Sequence, residues 1–135
     1  MRMIAIALGA LMLAGPALAQ TVAQAPPAAP YKKVSELVKL PDFLPGLGTL
    51  YVDPKTLPAG PFLAYDRQGK LVSTVYMIPI KDINAQKKID DLKAPGGNVD
   101  HVDMYFNAGH PGMEEPHYHI VLWHVSKQNE SLVAK

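Results

Sequence analysis

Residues 62–78 read FLAYDRQGKLVSTVYMI, and this stretch decides the fold that the sequence predicts. Two runs rich in β-branched and aromatic residues, 62–65 and 70–78, flank the short loop 66–69. Strand-forming runs joined by a four-residue loop that ends in glycine are typical of a β-hairpin. Pro79 ends the second strand because proline has no N–H group to donate to a neighbouring strand.

A second hairpin is predicted near the C-terminus, where 101–106 (HVDMYF) and 117–125 (HYHIVLWHV) are joined by a Gly- and Pro-containing loop. The apolar strand 117–125 should be central, and Trp123 and Phe106 should lie in the core. A short strand near 49–52 and short helices over 31–40 and 82–92 complete the prediction. We therefore expect a β-rich α+β fold: an antiparallel sheet or half-barrel built from two hairpins with one or two short helices.

Residues 1–19 have the layout of a secretory signal peptide, with Arg2, an apolar run, and the small residues Ala17 and Ala19 before the cleavage site. The run contains glycines and a proline and falls slightly short of the roughly 20 residues of a membrane span. We expect cleavage after Ala19, no stable membrane insertion afterwards, and a periplasmic or secreted protein.

The rest of the chain divides into a Pro/Ala-rich disordered linker (20–30), a single β-rich domain (31–126) and a polar C-terminal tail (127–135). The chain carries 13 Lys and Arg against 12 Asp and Glu, and loss of Arg2 would leave it formally neutral. A neutral chain argues against nucleic acid as a partner. With no cysteine, stability must come from the core, a bound metal or association into a homo-oligomer.

All five histidines lie in the last predicted hairpin. Because side chains alternate along a strand, His117 and His119 point to one face and can bind one metal ion together. His110, in the connecting loop, is the preferred third ligand. Candidates for additional ligands are Glu114, Glu115, Met113 and His101.

The types of candidate ligand do not determine which metal ion would bind. Three histidines with a carboxylate suit zinc, manganese or iron, whereas a set that includes Met113 suits copper. On the neighbouring strand His101, Asp103 and Tyr105 share a face. If that face meets His117 and His119, Asp103 can accept an imidazole N–H, and Tyr105 can support the ligands from the same side. His124 lies on the other face, with Ile120 and Leu122, and is predicted to be structural.

Three functions remain open. The first is an exported protein that binds a divalent metal, and a small-molecule ligand would fit the same site. The second is a metal-dependent enzyme of cupin-like type, favoured if an open coordination position faces an apolar pocket. The third is a non-catalytic envelope or assembly module, in which the histidines have only a structural role and make hydrogen bonds within the core.

The segments 100–103, 107–111 and 116–123 resemble a family of small exported bacterial domains of unknown function, with a representative in Thermus. The family pattern is Val-Asp-His-Val-Asp, then a loop of the type Asn-Pro-x-Gly-His, then a strand that reads Pro-His-Phe-Asp-x-His-Phe-Tyr. Five positions match it: His101, Asp103, His110, Pro116 and His117. The sequence departs from it at His119, where the pattern has Asp, and at Val121, where it has His. The resemblance implies a β-rich fold and export, and no activity.

Overall fold

The structure is a computed structural model that describes residues 22–135. The predicted signal peptide, 1–19, therefore lies outside the described residues. Six strands form one antiparallel sheet in the order β1-β2-β3-β4-β6-β5. Their bounds are β1 Lys32–Lys33, β2 Thr49–Val52, β3 Phe62–Tyr65, β4 Leu71–Pro79, β5 His101–Asn107 and β6 His117–Trp123. The predicted β-rich α+β fold is confirmed, and the sheet is open, with β1 and β5 at its edges.

The first hairpin is formed by β3 and β4, and Asp66 shapes its turn. Asp66 Oδ1 accepts hydrogen bonds from the backbone N–H groups of Gln68 and Lys70, each at 2.9 Å. Gly69 has φ +79°, a backbone conformation that glycine adopts without steric cost. The short loop predicted from the sequence is therefore held by a carboxylate and a glycine.

The second hairpin is formed by β5 and β6, and β6 inserts between β4 and β5. In its register His119 lies opposite Tyr105 and His117 lies opposite Asn107. On the other side, β6 pairs along its whole length with β4. The strand that carries the histidine pair is therefore an interior strand, as predicted.

The main core lies on one face of the sheet, which we call the inner face. It includes Val52, Phe62, Val75, Val121 and Trp123. Residues 34–47, which we call the wrap, cover this face with partly buried side chains such as Val38, Leu40 and Leu44. The wrap begins with a 3₁₀ helix at Val34–Glu36, so the short helix predicted over 31–40 is wrong outside these three residues, and Lys32–Lys33 form β1 instead.

The other helices are short. The helix α1 covers only Ile80–Asn84, and 3₁₀ helices cover Pro54–Thr56 and Lys127–Val133. The predicted helix over 82–92 is therefore wrong beyond Asn84. Gln86 has φ 55°, outside the helical region, and Ile89 and Leu92 remain exposed. A short helix depends on packing of its apolar side, and these side chains are only partly covered.

Both ends of the described chain pack on the sheet. Val22 is buried, its carbonyl accepts from Tyr65 Oη at 2.7 Å, and Ala25 N–H bonds the carbonyl of Gly69. At the other end Val133 is buried, and its carbonyl accepts from Gly46 N–H. Segments that look like a linker and a tail in the sequence thus contribute contacts to the domain. Within 22–135 the structure has no helix long and apolar enough to cross a membrane.

Candidate metal centre

His110, His117 and His119 come together at the end of the second hairpin. Their ring centroids lie 4.9 Å apart for His117–His119, 4.9 Å for His110–His117 and 5.5 Å for His110–His119. One ring nitrogen from each residue falls within 4.8 Å of the other two. His117 is fully buried and His119 is 5% exposed. The three residues preferred from the sequence therefore form one group.

The loop after β5 brings His110 back over β6. His110 and Met113 exchange backbone hydrogen bonds of 3.0 and 2.9 Å, which close a tight turn. Gly109 has φ +133°, and a Cβ there would lie 2.3 Å from the carbonyl oxygen of Glu114. The loop can fold this closely only because residue 109 has no side chain.

Backbone carbonyls orient two of the three rings. His117 Nδ1–H donates to the carbonyl of Glu115 at 2.7 Å, and His110 Nδ1–H donates to the carbonyl of Pro111 at 2.9 Å. A carbonyl only accepts, so the neutral rings keep their protons on Nδ1 and their lone pairs on Nε2. This arrangement is common in metal-binding histidines, where the second ring nitrogen fixes the tautomer.

His119 completes a continuous chain of hydrogen bonds. Its Nε2 lies 3.0 Å from His117 Nε2, and its Nδ1 lies 3.0 Å from Tyr105 Oη. Since His117 Nε2 carries the lone pair, His119 Nε2–H donates to it and Tyr105 O–H donates to His119 Nδ1. A metal ion would take the place of that shared proton, and His119 Nδ1–H would then donate to Tyr105.

The site favours neutral imidazole. Burial, followed by the neighbouring His117 and His110, lowers the pKa of His119 to about 4. Burial removes water from the charged ring, and the nearby histidines repel a further positive charge. His119 therefore keeps a lone pair at neutral pH, as a metal ligand must.

The nitrogens of His117 and His119 can bind one tetrahedral ion after a small adjustment. Zinc–nitrogen bonds of about 2.0–2.1 Å at tetrahedral angles place ligand nitrogens about 3.3 Å apart. The His117–His119 nitrogens, at 3.0 Å, would have to separate by a few tenths of an ångström. Three protein ligands leave a fourth coordination position for water or another molecule.

The other candidate ligands lie elsewhere. Glu115 pairs its carboxylate with Lys81 Nζ at 2.8 Å and uses its backbone carbonyl to hold His117. Glu114 is exposed, and Met113 is buried in the apolar core. Among the described residues the three-histidine group includes no carboxylate.

His101 belongs to a second group, with Asp103 and Glu130. Its Nδ1 lies 2.8 Å from Asp100 Oδ1, and its Nε2 lies 2.6 Å from Glu130 Oε1. The bonds to Glu130 and then to Asp100 raise the pKa of His101. These atoms are close enough to hold a metal, but carboxylates on both nitrogens favour a doubly protonated ring and hence an ion pair.

Asp103 and His124 have structural partners. Asp103 Oδ2 accepts from Trp123 Nε1 at 2.9 Å, a bond that lowers the pKa of the carboxyl group, where the sequence suggests an imidazole as the donor. His124 bonds Thr74 Oγ1 at 2.7 Å and the carbonyl of Asn98 at 2.8 Å. Of the two side chains expected to support the ligands, Tyr105 is the one that touches them.

An apolar cavity of about 590 Å³ adjoins the histidine group. The wrap forms one wall and the inner face of the sheet forms the other, while His110, His119, Tyr105 and Asn107 line one end. No sequence pattern predicts this cavity, because its walls come from segments far apart in the chain. The only local signal is the number of leucines and valines in a segment with so little regular structure.

The open antiparallel sheet defines a small β-rich domain, and its three-histidine group has ring nitrogens close enough together to hold a metal ion. A family model described as "TTHB210-like: Hypothetical protein TTHB210" matches residues 66–106. The crystal structure of hypothetical protein TTHB210 from Thermus thermophilus is similar over 70% of this chain and 93% of that chain, with 51% identity and a TM-score of 0.62. The chain belongs to this family, which confirms the resemblance. Among curated proteins none matches the chain.

Proposed function

We propose that this protein is exported to the periplasm and binds one divalent transition metal ion through His110, His117 and His119. The observation that carries the proposal is the pair of Nδ1–H bonds to backbone carbonyls, which leave the Nε2 lone pairs of His110 and His117 beside His119. Rings held in this way need little reorganisation to bind an ion. Zinc fits the all-nitrogen set best, ahead of copper, manganese and iron.

Metal analysis of the purified mature protein tests this proposal. After dialysis against zinc, we expect about one ion per chain in the wild type. The variant His117→Ala/His119→Ala should hold none, and the matched control His124→Ala should bind as the wild type does. Zinc retained in the double variant, or absent from the folded wild type under replete conditions, would contradict the proposal.

Export is supported by the layout of residues 1–19. Expression of the full chain in a bacterial host, followed by fractionation and mass measurement, should yield a periplasmic species that begins at Gln20. A full-length chain in the cytoplasmic fraction would contradict export.

A metal-dependent enzyme is the second candidate, because His110 and His119 line the apolar cavity and the fourth coordination position can face it. Such a site can hold a polarised water molecule beside a bound substrate. Turnover of alkyl esters that depends on zinc and disappears in His117→Ala/His119→Ala would support this candidate. Equal rates of ester hydrolysis with and without zinc would exclude a metal-dependent esterase activity.

A further inference from the structure

The cavity beside the histidine group has one polar end and a long apolar body. Its volume, about 590 Å³, lies within the range of roughly 300–1,000 Å³ typical of small-molecule sites. Val38, Leu44 and Leu47 of the wrap face Phe62, Val75 and Met77 of the sheet. Polar side chains line only the end where His110 and His119 lie. A ligand that fits this shape has an apolar body and a single polar head.

Charge identifies the head group. Among the described residues that line the cavity there is no Asp, Glu, Lys or Arg. An anionic head would therefore depend on the metal ion for its counter-charge, and three neutral imidazoles leave the ion's double charge intact. A second charged group on the ligand would be buried without a partner, at high cost. A monoanion satisfies both conditions.

Two donors stand beside the metal ligands at the polar end. Tyr105 carries a hydroxyl group 3.0 Å from His119 Nδ1. Asn107 uses its Oδ1 to accept from Gly109 N–H at 2.9 Å, which leaves its NH₂ group as the end that donates. A carboxylate can coordinate an ion through one oxygen and accept a hydrogen bond through the other.

We propose that the cavity binds a medium-chain monocarboxylate, with the carboxylate on the metal ion at the fourth coordination position and the alkyl chain between the wrap and the sheet. This inference rests on the proposed metal site. It predicts that affinity depends both on the metal and on the length of the chain.

Calorimetric titration of the zinc-loaded protein with acetate, hexanoate, octanoate and decanoate tests the proposal. Because each buried methylene contributes about 0.8 kcal/mol, the Kd should tighten about fourfold per methylene until the cavity is full. Octanol, which lacks the charge, and octanoate with metal-free protein should each bind about tenfold more weakly or worse. Equal affinity for acetate and octanoate, or octanoate binding that persists without metal, would overturn the proposal.

A matched pair of variants separates the cavity from the metal site. Leu37 lines the cavity and is 38% exposed, whereas Ile89 lies outside it and is 40% exposed. Leu37→Glu should weaken octanoate binding about tenfold or more, because it places a second negative charge beside the alkyl chain of the bound octanoate. It should leave zinc binding unchanged. Ile89→Glu should behave as the wild type. Unchanged octanoate binding in Leu37→Glu would overturn the cavity assignment.

The two proposals fail in different ways. If the wild type binds no zinc in the same titration series, the metal site is wrong and the carboxylate site falls with it. If zinc binds at one ion per chain but the alkanoates show no dependence on chain length, only the carboxylate site is wrong. The cobalt(II) derivative adds a direct readout, because its visible spectrum should change when octanoate enters the coordination sphere and should not change with octanol.

Discussion

His119 is the residue whose chemistry depends most on its surroundings. In the metal-free protein its imidazole should titrate with a pKa of about 4. The value in the unfolded chain is about 6.5, so the unfolded state takes up the proton first. Stability should therefore be full above about pH 6.5 and should fall as the pH decreases towards 4.

Imidazole NMR titrations and melting temperatures check this expectation. The variant His119→Gln removes the titrating group, so its melting temperature should fall less steeply over the same pH range. A His119 resonance that titrates near pH 6.5, or an equal pH slope in the variant, would show that burial and the neighbouring histidines do not hold the ring neutral.

Tyr105 is expected to act through His119. Tyr105→Phe removes the hydroxyl group that bonds His119 Nδ1 and leaves the ring in place. Loss of such a partner typically weakens metal binding by about 10- to 100-fold, and we expect a zinc Kd about tenfold weaker with little change in stability. Tyr118→Phe, on the other face of β6, is the control. Identical zinc affinities in the two variants would show that Tyr105 does not support the site.

The loop between β5 and β6 depends on Gly109. Gly109→Ala would force a Cβ against the carbonyl of Glu114 and should move His110 away from β6. We expect a cost of about 1–3 kcal/mol in stability together with weaker zinc binding. Gly97 also has a positive φ, +86°, but its added Cβ would meet nothing within 4 Å. Gly97→Ala should leave zinc binding unchanged, and a loss there equal to that in Gly109→Ala would contradict this account.

The C-terminal 3₁₀ helix, Lys127–Val133, is held to β5 by the pair of His101 and Glu130. The pKa of His101 is raised, so its contribution to stability is present below the unfolded pKa and is lost as the pH rises through the folded value. Glu130→Gln should therefore lower the melting temperature more at about pH 6 than at about pH 9. Glu114→Gln, an exposed control, should show no such difference. A pH-independent effect of Glu130→Gln would mean that the pair is not ionic.

The hairpins were predictable because their signals are local. The alternation of side chains along a strand predicts that His117 and His119 lie on one face. The connecting loop, which contains glycine and proline, predicts that His110 lies close to them. The segment 82–92 shows where local reasoning stops. Its apolar spacing fits a helix, yet Gln86 takes a positive φ of 55° and the helix ends at Asn84. The cavity and the packing of Val22 depend on contacts between distant segments, which no local pattern records.

The strand β5 forms an exposed edge of the sheet. Val102, Met104 and Phe106 share its outer side and are 54%, 58% and 55% exposed, so Phe106 lies outside the core predicted for it. An edge strand with unpaired backbone groups and apolar side chains can pair with an identical strand. We expect concentration-dependent association of two copies through β5. Met104→Lys should sediment as a smaller species than the wild type. Leu132 is also exposed but lies outside β5, so Leu132→Lys should sediment as the wild type does. Equal sedimentation of the two variants would exclude this edge as the contact.

Trp123 gives the molecule an internal optical reporter. It is the only tryptophan in the chain, its ring stacks on His101 with centroids 6.0 Å apart and planes 18° apart, and its indole N–H bonds Asp103. A protonated imidazole quenches an excited indole by accepting an electron, and a neutral one does so far less. The fluorescence of Trp123 should therefore increase as His101 loses its proton. In Glu130→Gln, which lacks the carboxylate that raises the pKa of His101, the same increase should occur at a lower pH.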